Sequence, residues 1–200
     1  MSEFHIPVKS ASGVFTEPMS GRFFLNREVW LTGRVDEESA VLLVKQLMLL
    51  GRENETEPIT LFINSGGGSI RDGLLIYDAI RDCAAPVRTF CCGDACSMAA
   101  VLAASGTGGR YINPHGRMML HEPLLGEKVG GNVSSIREIS KSLEKAKEDL
   151  DVILSGLTGK SLAEIAEATA SEHYYSAQEA VDFGLVDKIL PMRAFRKGEK

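Results

Sequence analysis

From Val29 onward the apolar residues fall into two alternating periods. VWLTG (29–33) is short and β-prone and predicts a strand. DEESAVLLVKQLMLLGRE (36–53) spaces its leucines and valines at helical intervals, behind Asp36 as an N-cap and acidic residues in the first turn. PITLFINS (58–65) reads as a second strand closed by three glycines. SIRDGLLIYDAIRDC (69–83) reads as a second helix, with Ile70, Leu74, Tyr77 and Ile80 on one face. Pro86 turns the chain into the strand VRTFCC, and MAAVLAAS follows as a helix of small residues. RYINP and RMMLH are two short strands around a Pro-His-Gly turn. Strands alternating with helices predict parallel βαβ units with right-handed crossovers, an α/β fold. Residues 1–28 carry no sustained period and read as a loop-forming terminal segment; 29–192 form one domain and 193–200 a flexible tail.

The second half changes character. Residues 132–157 predict one long helix with apolar residues at Ile136, Ile139, Leu143, Ala146, Leu150, Ile153 and Leu157. That three-four spacing is a seam that needs a partner, and the helix is longer than a small core requires, so packing between subunits is expected. GLTGKS (156–161) has the outline of a phosphate loop, but the position of its first glycine is Leu154. The segment reads better as a turn in which Ser161 caps the next helix and Glu164 completes a capping box.

Composition narrows the function. Two hundred residues, 44% hydrophobic and 24% charged, with a formal charge of −5, describe a soluble globular protein. The negative balance and the lack of any Lys/Arg block argue against a nucleic-acid surface. AVLLV (40–44) and MAAVLAA (98–104), the longest apolar runs, are too short to cross a bilayer, and MSEFHIPVKS has no secretory pattern; a cytoplasmic protein is expected. Cys91, Cys92 and Cys96 crowd together, but without Cys-x-x-Cys spacing or a second ligand cluster. With Cys83 they read as free thiols in a reducing compartment, and no metal is expected.

The candidate chemistry lies in GDACSMAAVLAASG (93–106), where one hydroxyl, Ser97, opens a helix of small residues. A serine there is either an ordinary helix cap or a nucleophile, since the unpaired N–H groups of a helix start suit an oxyanion. Met98 would present one such N–H, and the glycines of INSGGGS (63–69) would allow close approach of a substrate or a second donor. His121, where RMMLH gives way to a loop, is the candidate general base; His5, His115 and His173 are its competitors.

Four segments together resemble the ClpP family, the proteolytic subunits of the Clp protease: GDACSMAA, LFINSGGGSIRDGLLIYDAI, INPHGRMMLHEPL and LTGKSLAEIAEATASEHYYSAQEAVDFGLVDKIL. The family pattern G-x-A-x-S-M-[GA] falls on Gly93, Ala95, Ser97, Met98 and Ala99, and M-[IL]-H-x-P on Met119, Leu120, His121 and Pro123. The resemblance implies a ClpP/crotonase-like spiral of βαβ units with the long helix as a protruding handle. It implies Ser97 as nucleophile, His121 as base, and the N–H groups of Gly68 and Met98 as oxyanion hole. Gly126 to Asn132 would hold an unfolded polypeptide as an extended strand. No cofactor is implied; ATP is consumed by an AAA+ unfoldase of the ClpX, ClpA or ClpC kind, docked on heptameric rings stacked as a homo-tetradecamer. A crotonase-type acyl-CoA enzyme is the competing class on the same fold, and it lacks the Ser-His pairing.

The chain departs from the pattern at several points. The third catalytic member, an aspartate in the family, aligns with Glu172, preceded by Ala170 and Ser171 where the family has an acid and an arginine. The resemblance therefore implies a Ser-His-Glu triad and a weaker coupling between rings. The family's S-P-G-G reads Ser65-Gly66-Gly67-Gly68. The unfoldase-docking pocket keeps Phe62, Phe90, Tyr111 and Leu190, with smaller or more polar Thr60, Cys92 and Asn113 on its rim. The N-terminal axial segment lacks the usual charged character. These departures imply either an active subunit or a catalytically weak ring subunit paired with an active ClpP paralogue.

Overall fold

The computed structural model describes residues 4–11, 13–125 and 130–195. Its first strands, β1 (His5–Ser10) and β2 (Gly13–Pro18), form an antiparallel hairpin, and α1 (Met19–Leu25) follows. This corrects the expectation of an irregular segment over 1–28. The reason is physical: no described residue of the hairpin is buried, so no alternation of polar and apolar residues had to be written into it.

The α/β core follows the predicted alternation. Strand β3 (Glu28–Val35) leads into α2 (Glu37–Glu53), where the Asp36 carboxylate accepts from Ser39 N–H and the Ser39 side chain answers to the Asp36 N–H. Ala40, Leu43, Leu47 and Leu50 form the buried face of α2, and each fully covered leucine stabilises the fold by about 1.5–3 kcal/mol. After β4 (Ile59–Gly68), α3 (Ile70–Arg81) is capped by Ser69 and turns Gly73, Ile76 and Ile80 inward. Its predicted face was therefore set slightly off centre: Leu74 and Tyr77 flank the core, and Ile76, 0% exposed, lies at its middle. Strand β5 (Val87–Cys96), the wholly buried α4 (Met98–Ala104), β6 (Arg110–Ile112) and β7 (Arg117–Leu120) complete the first half.

Five strands, in the order β3-β4-β5-β6-β9, pair in parallel, with β9 being Lys188–Ile189. Strand β5 then changes partner. Thr89–Cys91 pairs with Arg110–Ile112 of β6, whereas Asp94–Cys96 pairs with Arg117–Met119 of β7. The change is made by a bulge: Ile63 of β4 faces Cys91, yet Ser65 faces Ala95. Asn64 fills the bulge, its Oδ1 accepting the Asp94 N–H at 3.0 Å. Gly93 leaves room for this bond, since a Cβ would lie 2.4 Å from the same oxygen and displace the Asn64 amide. Strand β8 (His173–Ser176) pairs antiparallel with β7.

The long helix is α5 (Val133–Thr158), capped by Asn132 and closed by Gly159 at φ 74°. Only Leu154 is buried, a residue outside the predicted seam. The first half of the helix stands clear of the core, with Ile136 52% exposed, while Ile139, Leu143 and Ala146 line an open groove against α3. Helices α6 (Leu162–Thr169) and α7 (Ala177–Phe183) each carry a capping box, Ser161 with Glu164 as expected and Ser176 with Glu179 besides. Arg110 ties these pieces together: its guanidinium donates to the carbonyls of Leu157 and Gly184, both at 2.8 Å, and pairs with Asp187. Among the described residues no helix is long and apolar enough to cross a membrane.

Two outcomes follow. Partial burial would raise the Asp187 carboxyl, but the hydrogen bonds and charge of Arg110 outweigh it and hold it below the usual range. A lowered carboxyl stabilises the fold above the unfolded value and loses that contribution as pH falls through the folded one. Asp187→Asn should therefore lower Tm at neutral pH, with the difference from the parent closing below about pH 4 in melts at fixed protein concentration. Gly93→Ala should destabilise by about 1–3 kcal/mol in urea unfolding, and the cost should shrink when Asn64→Ala is combined with it.

Candidate active site

Ser97 sits where β5 ends and α4 begins, with φ 57° and ψ −127°, a conformation that L side chains rarely adopt. Its N–H donates to the Met119 carbonyl at 2.7 Å, one residue beyond the last β5–β7 pair, so the ladder holds the strained turn in place. Ser97 occupies the N-cap position, but its hydroxyl makes no capping bond. The side chain that the sequence offered as a cap therefore leaves its hydroxyl unused by the helix end. It lines a cavity of about 610 Å³ together with Gly68, Met98 and His121.

The glycine loop presses against the same turn. A Cβ on Gly67 would come within 2.5 Å of the Cys96 carbonyl oxygen, 2.8 Å of Ser97 Cβ and 3.0 Å of Met98 N, and Gly67 holds φ 85°. Gly68 is equally constrained, as its Cβ would strike the Val35 carbonyl. Without a proline the loop is fastened by Ser65, which is 4% exposed. The Ser65 hydroxyl donates to the Gly33 carbonyl and accepts the Gly67 N–H. Met98 is the first residue of α4, so its N–H has no acceptor within the helix.

His121 and Glu172 are brought level by the β7–β8 ladder. Its last pair is Leu120 with His173, and one residue further stand His121 and Glu172. They are not joined. His121 Nδ1 meets the backbone carbonyl of Glu122 at 2.5 Å, while Glu172 is exposed with its carboxylate in no hydrogen bond or ion pair among the described residues. Its charge still reaches the neighbourhood of Ser97: burial pushes the Cys96 thiol up, and Asp94 and Glu172 push the same way against Arg117. Burial likewise pushes Cys91 up to about 12. These cysteines are protonated thiols, poor nucleophiles and poor metal ligands at neutral pH. Among the described residues no group of His, Cys, Asp and Glu is arranged to hold a metal ion.

The rest of the cavity wall mixes apolar residues, Ile70, Val101, Leu150 and Leu154 among them, with the polar Arg34, Ser69, Glu122, Asp151 and Thr169. Of the segment from Gly126 to Asn132, residues 126–129 lie outside the described residues. Elsewhere on the sheet, Trp30, Phe62, Phe90 and Tyr111 occupy one register row across β3, β4, β5 and β6. Trp30 stacks on Phe62 with ring centroids 4.5 Å apart. Trp30 escaped the sequence reading, as did Asn64 and Thr169. Nothing local marks Asn64 or Thr169, but Trp30 could have been found by placing VWLTG in register with LFINS.

A family model described as Clp protease matches residues 13–193, nearly the whole chain and including every residue discussed around the cavity. The mostly parallel sheet and the seven α-helices of the described residues agree with that match. The chain belongs to the Clp protease family.

Proposed function

We propose that this chain is a ClpP-type serine endopeptidase subunit that cleaves unfolded polypeptides. The observation that carries the reading is the strained Ser97 turn, which shares one cavity with His121 and the first N–H of α4. In this reading the Ser97 Oγ attacks the scissile carbonyl while His121 takes its proton through Nε2. The oxyanion forms against the N–H groups of Gly68 and Met98. Imidazolium returns the proton to the leaving amine, and water then releases the acyl group by the same route reversed. A substrate held in extended form alongside residues 126–132 would offer mainly its backbone, so side-chain preference would come from the apolar residues of the wall.

Assembly into heptameric rings, stacked as a double ring through α5, is supported by the exposure of the first half of that helix. Docking of an AAA+ unfoldase that supplies unfolded chain is supported by Trp30, 38% exposed, and the half-buried Tyr111, at the two ends of a register row whose middle members Phe62 and Phe90 are buried beneath the surface. A second reading, a catalytically weak ring subunit paired with an active ClpP paralogue in the cytoplasm, draws support from the missing bond between His121 and Glu172.

Labelling with a fluorophosphonate separates the two. Modification at Ser97, abolished in Ser97→Ala, is the expected result; no labelling, even with a paralogue added, overturns catalysis. Short fluorogenic peptides with Leu or Met on the acyl side of the cleaved bond should turn over about tenfold faster than those with Asp, given Ile70, Val101, Leu150 and Leu154 on the wall. The native mass of the protein alone should correspond to a heptamer or a double ring, and a monomer at micromolar concentration would sink self-assembly.

A further inference from the structure

We infer that the backbone carbonyl of Glu122, rather than the Glu172 carboxylate, is the group that orients the His121 imidazole. The inference rests on the reading of Ser97 and His121 as a nucleophile and its base. A carbonyl oxygen can only accept, so its contact with Nδ1 fixes the proton on Nδ1. A neutral ring protonated there carries its lone pair on Nε2, the tautomer a general base needs.

The residue that bears this carbonyl is held on both sides. The Glu122 N–H donates to the Thr169 carbonyl at 2.7 Å, anchoring the peptide to the end of α6. Thr169 is 2% exposed, and its hydroxyl donates to the Ile165 carbonyl at 3.0 Å, so the anchor is part of the packed core. Pro123 follows Glu122, and a residue before proline is confined to extended conformations, which limits where its carbonyl points. Glu172 has none of these supports. It is exposed and in no hydrogen bond among the described residues. His121 Nε2 also bonds no described residue, so it is left to receive the Ser97 proton while Nδ1–H stays in its bond to the carbonyl. Glu122 acts through His121 and is a positioning residue.

The test reads the imidazole directly. Protein labelled with nitrogen-15 at histidine is sedimented in its assembled state and examined by solid-state NMR at neutral pH, with His121→Asn identifying the His121 signals. The expected result is a hydrogen-bonded Nδ1–H on His121 that keeps its shifts in Glu172→Gln and in Glu122→Ala, which retain the carbonyl. Glu122→Pro removes the N–H that anchors the peptide; it should broaden or shift the Nδ1–H signal and lower peptidase kcat by about 10- to 100-fold. The inference is overturned if His121 carries its proton on Nε2, or if Glu172→Gln moves the Nδ1 signal. If Glu122→Pro does not fold, the parent and Glu172→Gln spectra still decide. Because the tautomer is read without turnover, a protein that fails to label at Ser97 would refute the peptidase reading and leave this result standing on its own.

Discussion

One strand edge shared in turn by two partner strands is the constraint on which this molecule turns. Strand β5 spends its first residues inside the parallel sheet and its last three beside β7, and the bulge around Gly93 makes both possible. A continuous ladder would have carried Ser97 onward in the plane of the main sheet. The bulge instead delivers it to the meeting point of β5, β7 and the start of α4, where its N–H is taken by Met119 and its φ is forced positive. The strain at Ser97 is therefore held by two structures at once, a sheet on one side and a buried helix on the other. Asn64, with an amide oxygen that accepts the Asp94 N–H, is the small part that keeps this junction open.

Much of the fold was legible because burial leaves a periodic record. Helix α2 could be drawn within a residue of its true start, since Asp36, its acidic first turn and the leucine spacing all agree. The capping box at Ser161 and Glu164 was legible for the same reason: a helix start needs acceptors for its free N–H groups, and short side chains advertise them. The hairpin at the N-terminus left no such record because neither of its faces is buried. The two glycine-rich ends, GGG of β4 and GDAC of β5, lie outside the strands predicted from sequence although both continue them, because glycine is read as punctuation unless a partner strand is known.

The site divides along the same line. Ser97, Met98 and Gly68 were visible as a helix start facing a glycine loop, and His121 as a strand end, all local signals. The register of β7 and β8 is a long-range fact. It sets Glu172 opposite His121, and nothing in a single sequence reports whether a carboxylate across a ladder will reach an imidazole. Nor does sequence report that a main-chain carbonyl can stand in the same place, since every residue has one. Groups of this kind, Glu122 and Thr169 among them, have to be found in space.

Helix α5 has a further consequence. It is a rod of 26 residues, about 39 Å long, and its last turns supply Leu150, Asp151 and Leu154 to the cavity wall beside Ser97. Its other end projects from the body with its apolar residues half bare. Wall and projection are therefore parts of one lever. Whatever grips the free arm grips the Ser97 cavity too, across a distance that no chain of side-chain contacts has to bridge.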